Sequence, residues 1–154
     1  VDLTRDRPAL LRPGGVTVAQ LEAVLGEAVL ARDAQAPRAS GTLEAHYAPS
    51  TPIELVGSDE IEARIGQLHA RGERVALWVR SGLGGGADLR LAMPGDPAAA
   101  ARALYDALRS LDRASCQRIL IERVPEGAAW LAVADRLRRA VAGSTLEAQR
   151  GAPR

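Results

Sequence analysis

Two adjacent residues with hydrogen-bonding side chains, His46 and Tyr47, lie in the segment 40–52, SGTLEAHYAPSTP. Pro49 and Pro52 follow them, so neither a helix nor a central strand can continue through the segment, because proline lacks an amide donor. Polar groups on an irregular segment often act on a neighbouring surface. Two interpretations stay open: a functional loop that supplies a donor and an aromatic ring, or, as is more common, a tether whose Tyr47 ring packs on a nearby domain.

Arg12 is the second candidate for chemistry. It ends the apolar run ALLR and directly precedes Pro13-Gly14-Gly15. A guanidinium at such a position could hold a phosphate or a carboxylate through two parallel hydrogen bonds. The alternative, which is the usual outcome for arginine, is a solvated residue at the edge of a strand.

Other reactive residue types form no defined site in the sequence. The run Gly84-Gly85-Gly86 has no dinucleotide-binding spacing, and the chain contains no lysine for a phosphate-binding loop, so we interpret it as a flexible connection between strands. His69 falls in the last turn of a predicted helix, where a cation complements the helix dipole, and we interpret it as structural. Cys116 has no histidine or aspartate nearby in sequence, and no metal-binding spacing occurs.

Composition and charge limit the class of protein. Hydrophobic residues make up 47% and charged residues 25%, which is typical of a globular domain. The net charge of +1 is too small to predict a nucleic-acid or membrane surface, so we expect the basic cluster Arg136, Arg138 and Arg139 to face solvent or a partner domain. The single cysteine fits a reducing, cytoplasmic location, and no apolar run is long enough to span a membrane. Because the chain begins Val1-Asp2-Leu3 rather than with methionine, we expect an amino-terminal part to be missing.

The pattern of residues 53–142 predicts an α/β fold. Strands are predicted for the apolar segments 53–56, 74–79, 89–93 and 118–124. Helices are predicted for the amphipathic segments 58–71, 97–113 and 127–142. The alternation predicts a small three-layer Rossmann-like domain with a mainly parallel sheet.

The remaining residues predict smaller units. Residues 1–4 and 9–12 read as two extended pieces, which cannot be stable alone and therefore belonged to a larger sheet. Thr17 and Gln20 form a capping box that begins a helix ending near Gly26. Residues 32–52 read as a linker, and residues 143–154 as a disordered polar tail.

Two of these segments together resemble a known family. VDLTRDRPALLRPGGVT, residues 1–17, is similar to the carboxy-terminal end of the YrdC-like domain of threonylcarbamoyl-AMP synthases. SGTLEAHYAP, residues 40–49, resembles the HYAP linker in the long form of that family. The resemblance implies that residues 1–31 are a remnant of the YrdC-like α/β domain, 32–52 the linker, and 53–142 the extra carboxy-terminal domain.

The resemblance also implies an activity. The family condenses L-threonine, bicarbonate and ATP into L-threonylcarbamoyladenylate with release of pyrophosphate, and a downstream threonylcarbamoyl transferase machinery modifies A37 of tRNA. Arg12 matches the LRPG arginine and Tyr47 the HYAP tyrosine, both of which contact ATP in the family; His46 is a candidate contact of the linker acting as a lid. Magnesium accompanies ATP and is held mainly by the missing amino-terminal part. We therefore expect the chain alone to be inactive.

Physical reasoning agrees with these roles, because adenylation needs positive groups at the phosphates and exclusion of water rather than covalent help. One alternative of another class remains: residues 53–142 could be a small ligand-binding or docking module without catalysis, with its ligand in the crevice where the strand order reverses. We do not expect direct tRNA binding, because the net charge is close to neutral.

Overall fold

A computed structural model describes residues 1–34, 36–37 and 49–151. Their helices and strands are, in chain order, α1 (Val18–Leu25), β1 (Ile53–Val56), α2 (Ile61–His69), β2 (Val75–Val79), β3 (Leu89–Ala92), α3 (Pro97–Asp112), β4 (Arg118–Glu122) and α4 (Leu131–Gly151). The strands form one sheet in the order β1-β4-β2-β3, with every neighbouring pair parallel. The predicted α/β fold with a parallel sheet is therefore confirmed.

Helices cover both faces of this sheet, which gives three layers. The central strand β2 is buried along its whole length, as expected for a parallel strand with both faces covered. On one face its side chains pack with α2, in a cluster that includes Ile61, Leu68 and Leu77. On the other face they pack with α3 and α4, in a larger cluster that includes Trp78. The predicted three-layer arrangement is thus also confirmed.

The connection between β2 and β3 takes the place of a crossover helix. A Cβ built on Gly84 would lie 1.9 Å from Leu77 Cδ2, so this residue rests directly on the α2 side of the sheet. The amide of Gly84 donates a hydrogen bond to Glu62 Oε1 at 2.7 Å, and Arg90 holds the carbonyls of Leu83 and Gly82 at 3.0 and 2.8 Å. The glycine run does connect two strands as predicted, but the structure shows an anchored segment that fills a core position instead of a flexible one.

Residues 1–34 form a small unit held by single backbone bridges. Asp2 pairs with Ala9 in the antiparallel sense and Ala9 with Leu30 in the parallel sense, so the two predicted extended pieces are bridges without full strands. Helix α1 has the predicted capping box of Thr17 and Gln20. The apolar side chains of α1 are not buried within the described residues, and Val24 is 87% exposed.

Helix α4 corrects the prediction for the end of the chain. It continues to Gly151, whereas the sequence pattern predicts an end at residue 142 and a disordered tail from residue 143. The Ser144 hydroxyl explains the difference: it donates to the carbonyl of Val141 at 2.9 Å and accepts the amide of Ile53 at 3.1 Å. Gly143 and Ser144 are buried, so residues that resemble a helix stop in sequence form part of the packing of α4 against β1.

Candidate functional site

Arg12 lies at the junction between residues 1–34 and the three-layer domain. It follows Leu10, whose amide donates to the carbonyl of Leu30 at 2.8 Å, so the backbone that carries Arg12 is tied to the small amino-terminal unit. Its guanidinium Nε donates to Asp135 Oδ2, on the second turn of α4, at 3.0 Å. Both side chains are largely buried, with 23% and 13% exposed. The alternative of a solvated edge arginine is therefore not what the structure shows.

Asp135 is shared between two arginines. Arg139, one turn further along α4, donates from Nε to Asp135 Oδ2 at 3.0 Å and from Nη2 to Oδ1 at 3.3 Å. Burial raises the pKa of Asp135, but the hydrogen bonds from Arg139 and Arg12 outweigh burial and hold that pKa below its ordinary value. The group therefore carries two cationic charges and one anionic charge at neutral pH, and is net positive.

The segment after Arg12 borders a groove against the helices. Gly14, Gly15 and Thr17 form one wall, and the start of α3 at Asp96 and Pro97 forms the other. Small side chains form the floor, and the groove has a volume of about 320 Å³. The LRPGG segment and the three-layer domain thus meet at this groove.

His46 and Tyr47 lie outside the described residues. The predicted linker is described only at its two ends. At the amino-terminal end, Arg5 Nη1 bonds Asp33 Oδ2 at 2.8 Å. At the carboxy-terminal end, Asp112 accepts hydrogen bonds from the amides of Ser50 and Thr51 at 3.2 and 2.9 Å.

The crevice at the carboxyl ends of the strands holds a carboxylate of the chain itself. Glu122, at the end of β4, is 1% exposed and accepts the amides of Arg80 and Ser81 at 2.6 and 2.7 Å. Arg80 Nη2 lies 3.7 Å from the other oxygen of this carboxylate. These contacts join the end of β4 to the end of β2, at the place where the alternative hypothesis puts a ligand.

The basic residues of α4 do not form one free cationic surface. Arg136 donates to the carbonyl of Ala132 at 2.8 Å and Arg138 to the carbonyl of Ala134 at 3.3 Å, so both fold back on their own helix. Arg139 binds Asp135. All three arginines of this cluster therefore have hydrogen-bond partners within α4 itself.

Neither a metal centre nor a membrane span is found in the part of the chain that the structure describes. Among these residues, no group of three or more His, Cys, Asp or Glu side chains is arranged to hold a metal ion. No helix in the same residues combines the length and the apolar character that crossing a bilayer requires.

Sequence reasoning missed Asp135 and Glu122 as members of sites. Asp135 and Arg139 have the i,i+4 spacing of a helical ion pair, but nothing in the sequence points to Arg12, 123 positions away. Glu122 carries a usable signal, because an ionisable residue within the apolar run RILIERV must find partners when the strand is buried.

Comparisons with known proteins agree on one family. A family model described as "Threonylcarbamoyl-AMP synthase, C-terminal domain" matches residues 16–142. The chain is 35% identical to the threonylcarbamoyl-AMP synthase of Pyrococcus abyssi, over 91% of this chain and 44% of that protein. It is 34% identical to the Bacillus subtilis enzyme of the same name, over 92% of this chain and 44% of that protein. The chain thus spans less than half the length of the curated relatives it matches.

Two solved structures of the Pyrococcus abyssi protein Sua5 share the fold. The complex with L-threonine has a TM-score of 0.77 and 33% identity, and the match covers 93% of this chain and 45% of that one. A variant in which an adjacent histidine and tyrosine are both replaced by alanine has a TM-score of 0.73 and 33% identity, over 93% and 44% of the two chains. The similarity therefore extends through residues 1–34 and the three-layer domain together.

Proposed function

Because the chain belongs to the threonylcarbamoyl-AMP synthase family and matches its carboxy-terminal domain, we propose that it is the carboxy-terminal part of an enzyme that makes L-threonylcarbamoyladenylate. This enzyme is a nucleotidyltransferase that condenses L-threonine, bicarbonate and ATP and releases pyrophosphate. Its product supplies a separate threonylcarbamoyl transferase machinery that modifies A37 of tRNA. The names of the relatives, and the solved relative with bound L-threonine, support this proposal.

The observation that carries the proposal is the state of the Arg12 guanidinium. Only its Nε donates to Asp135, at 3.0 Å, and within the described residues neither Nη nitrogen of Arg12 has a hydrogen bond. A guanidinium held in this way keeps its end-on edge, formed by Nη1 and Nη2, available for two oxygens of one phosphate. Arg12 is thereby suited to bind ATP and to neutralise charge that develops at the phosphates during adenylation.

Tyr47 is the second ATP contact in this proposal, with His46 beside it as a linker contact. The solved variant with an adjacent histidine–tyrosine pair replaced supports this choice, because His46-Tyr47 is the one such pair in this sequence. Chain length permits Tyr47 and Arg12 to face one nucleotide. Ser144, which accepts the amide of Ile53, lies nine positions beyond Asp135 on α4, or about 14 Å along the helix. Tyr47 and Ile53 are six Cα–Cα steps apart, and this length of chain can span about 20 Å when extended.

The other parts of the reaction are assigned outside this chain. L-Threonine, bicarbonate and the magnesium that accompanies ATP are proposed to bind mainly to the part of the enzyme that precedes residue 1. For this reason the 154-residue chain alone is expected to be inactive. We place the enzyme in the cytoplasm, where the tRNA modified by the downstream machinery and the reduced state of Cys116 are expected.

Pyrophosphate release tests the proposal. The polypeptide translated from the complete gene should release pyrophosphate from ATP when L-threonine and bicarbonate are both present, and the chain alone should not. Tyr47→Ala in the complete polypeptide should lower this rate and leave the melting temperature nearly unchanged. Arg71, at an exposed position after α2, provides the control, since Arg71→Ala should change neither quantity.

Two results would contradict the proposal in different ways. Robust turnover by the chain alone would show that the residues assigned outside it are dispensable. A complete polypeptide that releases no pyrophosphate, while thermal shift shows nucleotide or amino-acid binding to residues 53–142, would favour the binding-module alternative.

A further inference from the structure

Asp135 connects the carboxy-terminal domain to Arg12, the residue that we propose binds ATP. It lies on α4, 123 positions from Arg12, and is the acceptor for Arg12 Nε among the described residues. The two side chains belong to different structural units, because Arg12 is tied to residues 1–34 and Asp135 to the three-layer domain. The carboxy-terminal domain can therefore act on the proposed nucleotide site through this contact.

Geometry decides which edge of the guanidinium stays available. An arginine can bind a phosphate side-on through Nε and one Nη, or end-on through Nη1 and Nη2. Asp135 occupies Nε at 3.0 Å, which removes the side-on mode. Arg139 in turn binds both oxygens of Asp135 at 3.0 and 3.3 Å, so the carboxylate cannot rotate freely.

From this arrangement we propose that Asp135 is a positioning residue that directs the Nη edge of Arg12 toward the ATP phosphates, with Arg139 fixing Asp135. The inference rests on the proposed function. It gives the carboxy-terminal domain a defined part in adenylation: it orients one cation instead of contacting substrate. Asp135 does not itself touch the nucleotide, since a carboxylate beside phosphate would be repelled.

Steady-state kinetics of the complete enzyme test this role. Asp135→Ala should lower kcat/KM for ATP by about tenfold, the change expected when one charged hydrogen bond is lost. The KM for L-threonine should stay within about twofold. Asp135→Asn should retain most of the activity, because an amide oxygen can still accept from Arg12 Nε. Asp106, an exposed partner of Arg109 on α3, provides the matched control: Asp106→Ala should leave both constants unchanged.

A double-mutant cycle separates positioning from a structural role. If Asp135 acts through Arg12, Asp135→Ala should cause no further loss in kcat/KM for ATP once Arg12→Ala is present. A further tenfold loss caused by Asp135→Ala in the Arg12→Ala background would overturn this inference and leave the proposed function intact. An unchanged kcat/KM for ATP in Asp135→Ala by itself would have the same consequence. A wild-type complete enzyme that forms no adenylate would overturn the proposed function, and this inference with it.

Discussion

Replacement of Gly84 by alanine should destabilise the domain strongly, because this glycine is required on two separate grounds. Its φ is +82°, in the left-handed region that residues with a Cβ rarely adopt, and its added methyl would lie 1.9 Å from Leu77 Cδ2. The left-handed conformation costs about 1 kcal/mol for a non-glycine residue. Forcing a methyl group into a packed core costs about 1–3 kcal/mol more.

Leu77 cannot easily yield to the new methyl. It is fully buried on the central strand β2, and Ile61 and Ile65 of α2 lie 3.4 and 3.5 Å from the same added Cβ. The free energy of unfolding should therefore fall by about 2–4 kcal/mol in Gly84→Ala. For a chain of 154 residues this corresponds to a drop of roughly 5–15 °C in the melting temperature.

Urea denaturation followed by circular dichroism measures the effect. Gly85→Ala is the matched control, because nothing lies within 4 Å of its added Cβ and its φ is not in the left-handed region. In a Leu77→Ala background the clash disappears, so Gly84→Ala should then cost only about 1 kcal/mol. A Gly84→Ala variant as stable as Gly85→Ala would refute the claim that this segment fills a core position.

Two further predictions concern buried and anchored carboxylates. Glu122→Leu should lower the free energy of unfolding by about 2–5 kcal/mol, because the buried amides of Arg80 and Ser81 lose their acceptor. Glu122→Gln keeps an acceptor and should cost less. An equal loss of stability in both variants, measured by urea titration, would show that the lost acceptor is not the cause. Burial raises the pKa of Asp112, but hydrogen bonds from Thr51 and Ser50 outweigh burial and hold that pKa below the ordinary value of an aspartate. The stabilisation by Asp112 is therefore present above the ordinary pKa of aspartate and is lost as the pH falls through the lowered pKa. Asp112→Asn should therefore flatten the acid limb of stability against pH, and an unchanged acid limb would show that this carboxylate does not contribute.

Local pattern predicts most of the three-layer domain. The strand Ile53–Val56 has its predicted bounds, and α3 begins at Pro97 with Asp96 as its cap, because proline at the first position and an aspartate before it are strong local signals. The cap of α2 shows the limit of such signals. Ser58 has the right residue type, but the helix begins three residues later, after Glu60, without a side-chain cap.

What local pattern cannot predict depends on contacts between distant residues. The extension of α4 needs the hydrogen bond between Ser144 and Ile53, which are 91 positions apart, and so the polar residues after position 142 resemble a tail. The contact between Arg12 and Asp135 likewise follows from how two units pack. The glycine run resembles a flexible loop because neither the positive φ of Gly84 nor its contact with Leu77 can be read from composition.

Formation of the adenylate by an Arg12 variant tests the central claim most directly. Mass spectrometry would quantify L-threonylcarbamoyladenylate made by the complete enzyme from L-threonine, bicarbonate and ATP. Arg12→Ala should lower the initial rate by at least about tenfold, as expected when a charged contact to phosphate is lost. Arg71→Ala, at an exposed position after α2, should form the product at the wild-type rate. Unchanged product formation by Arg12→Ala would contradict the assignment of this residue to the ATP site.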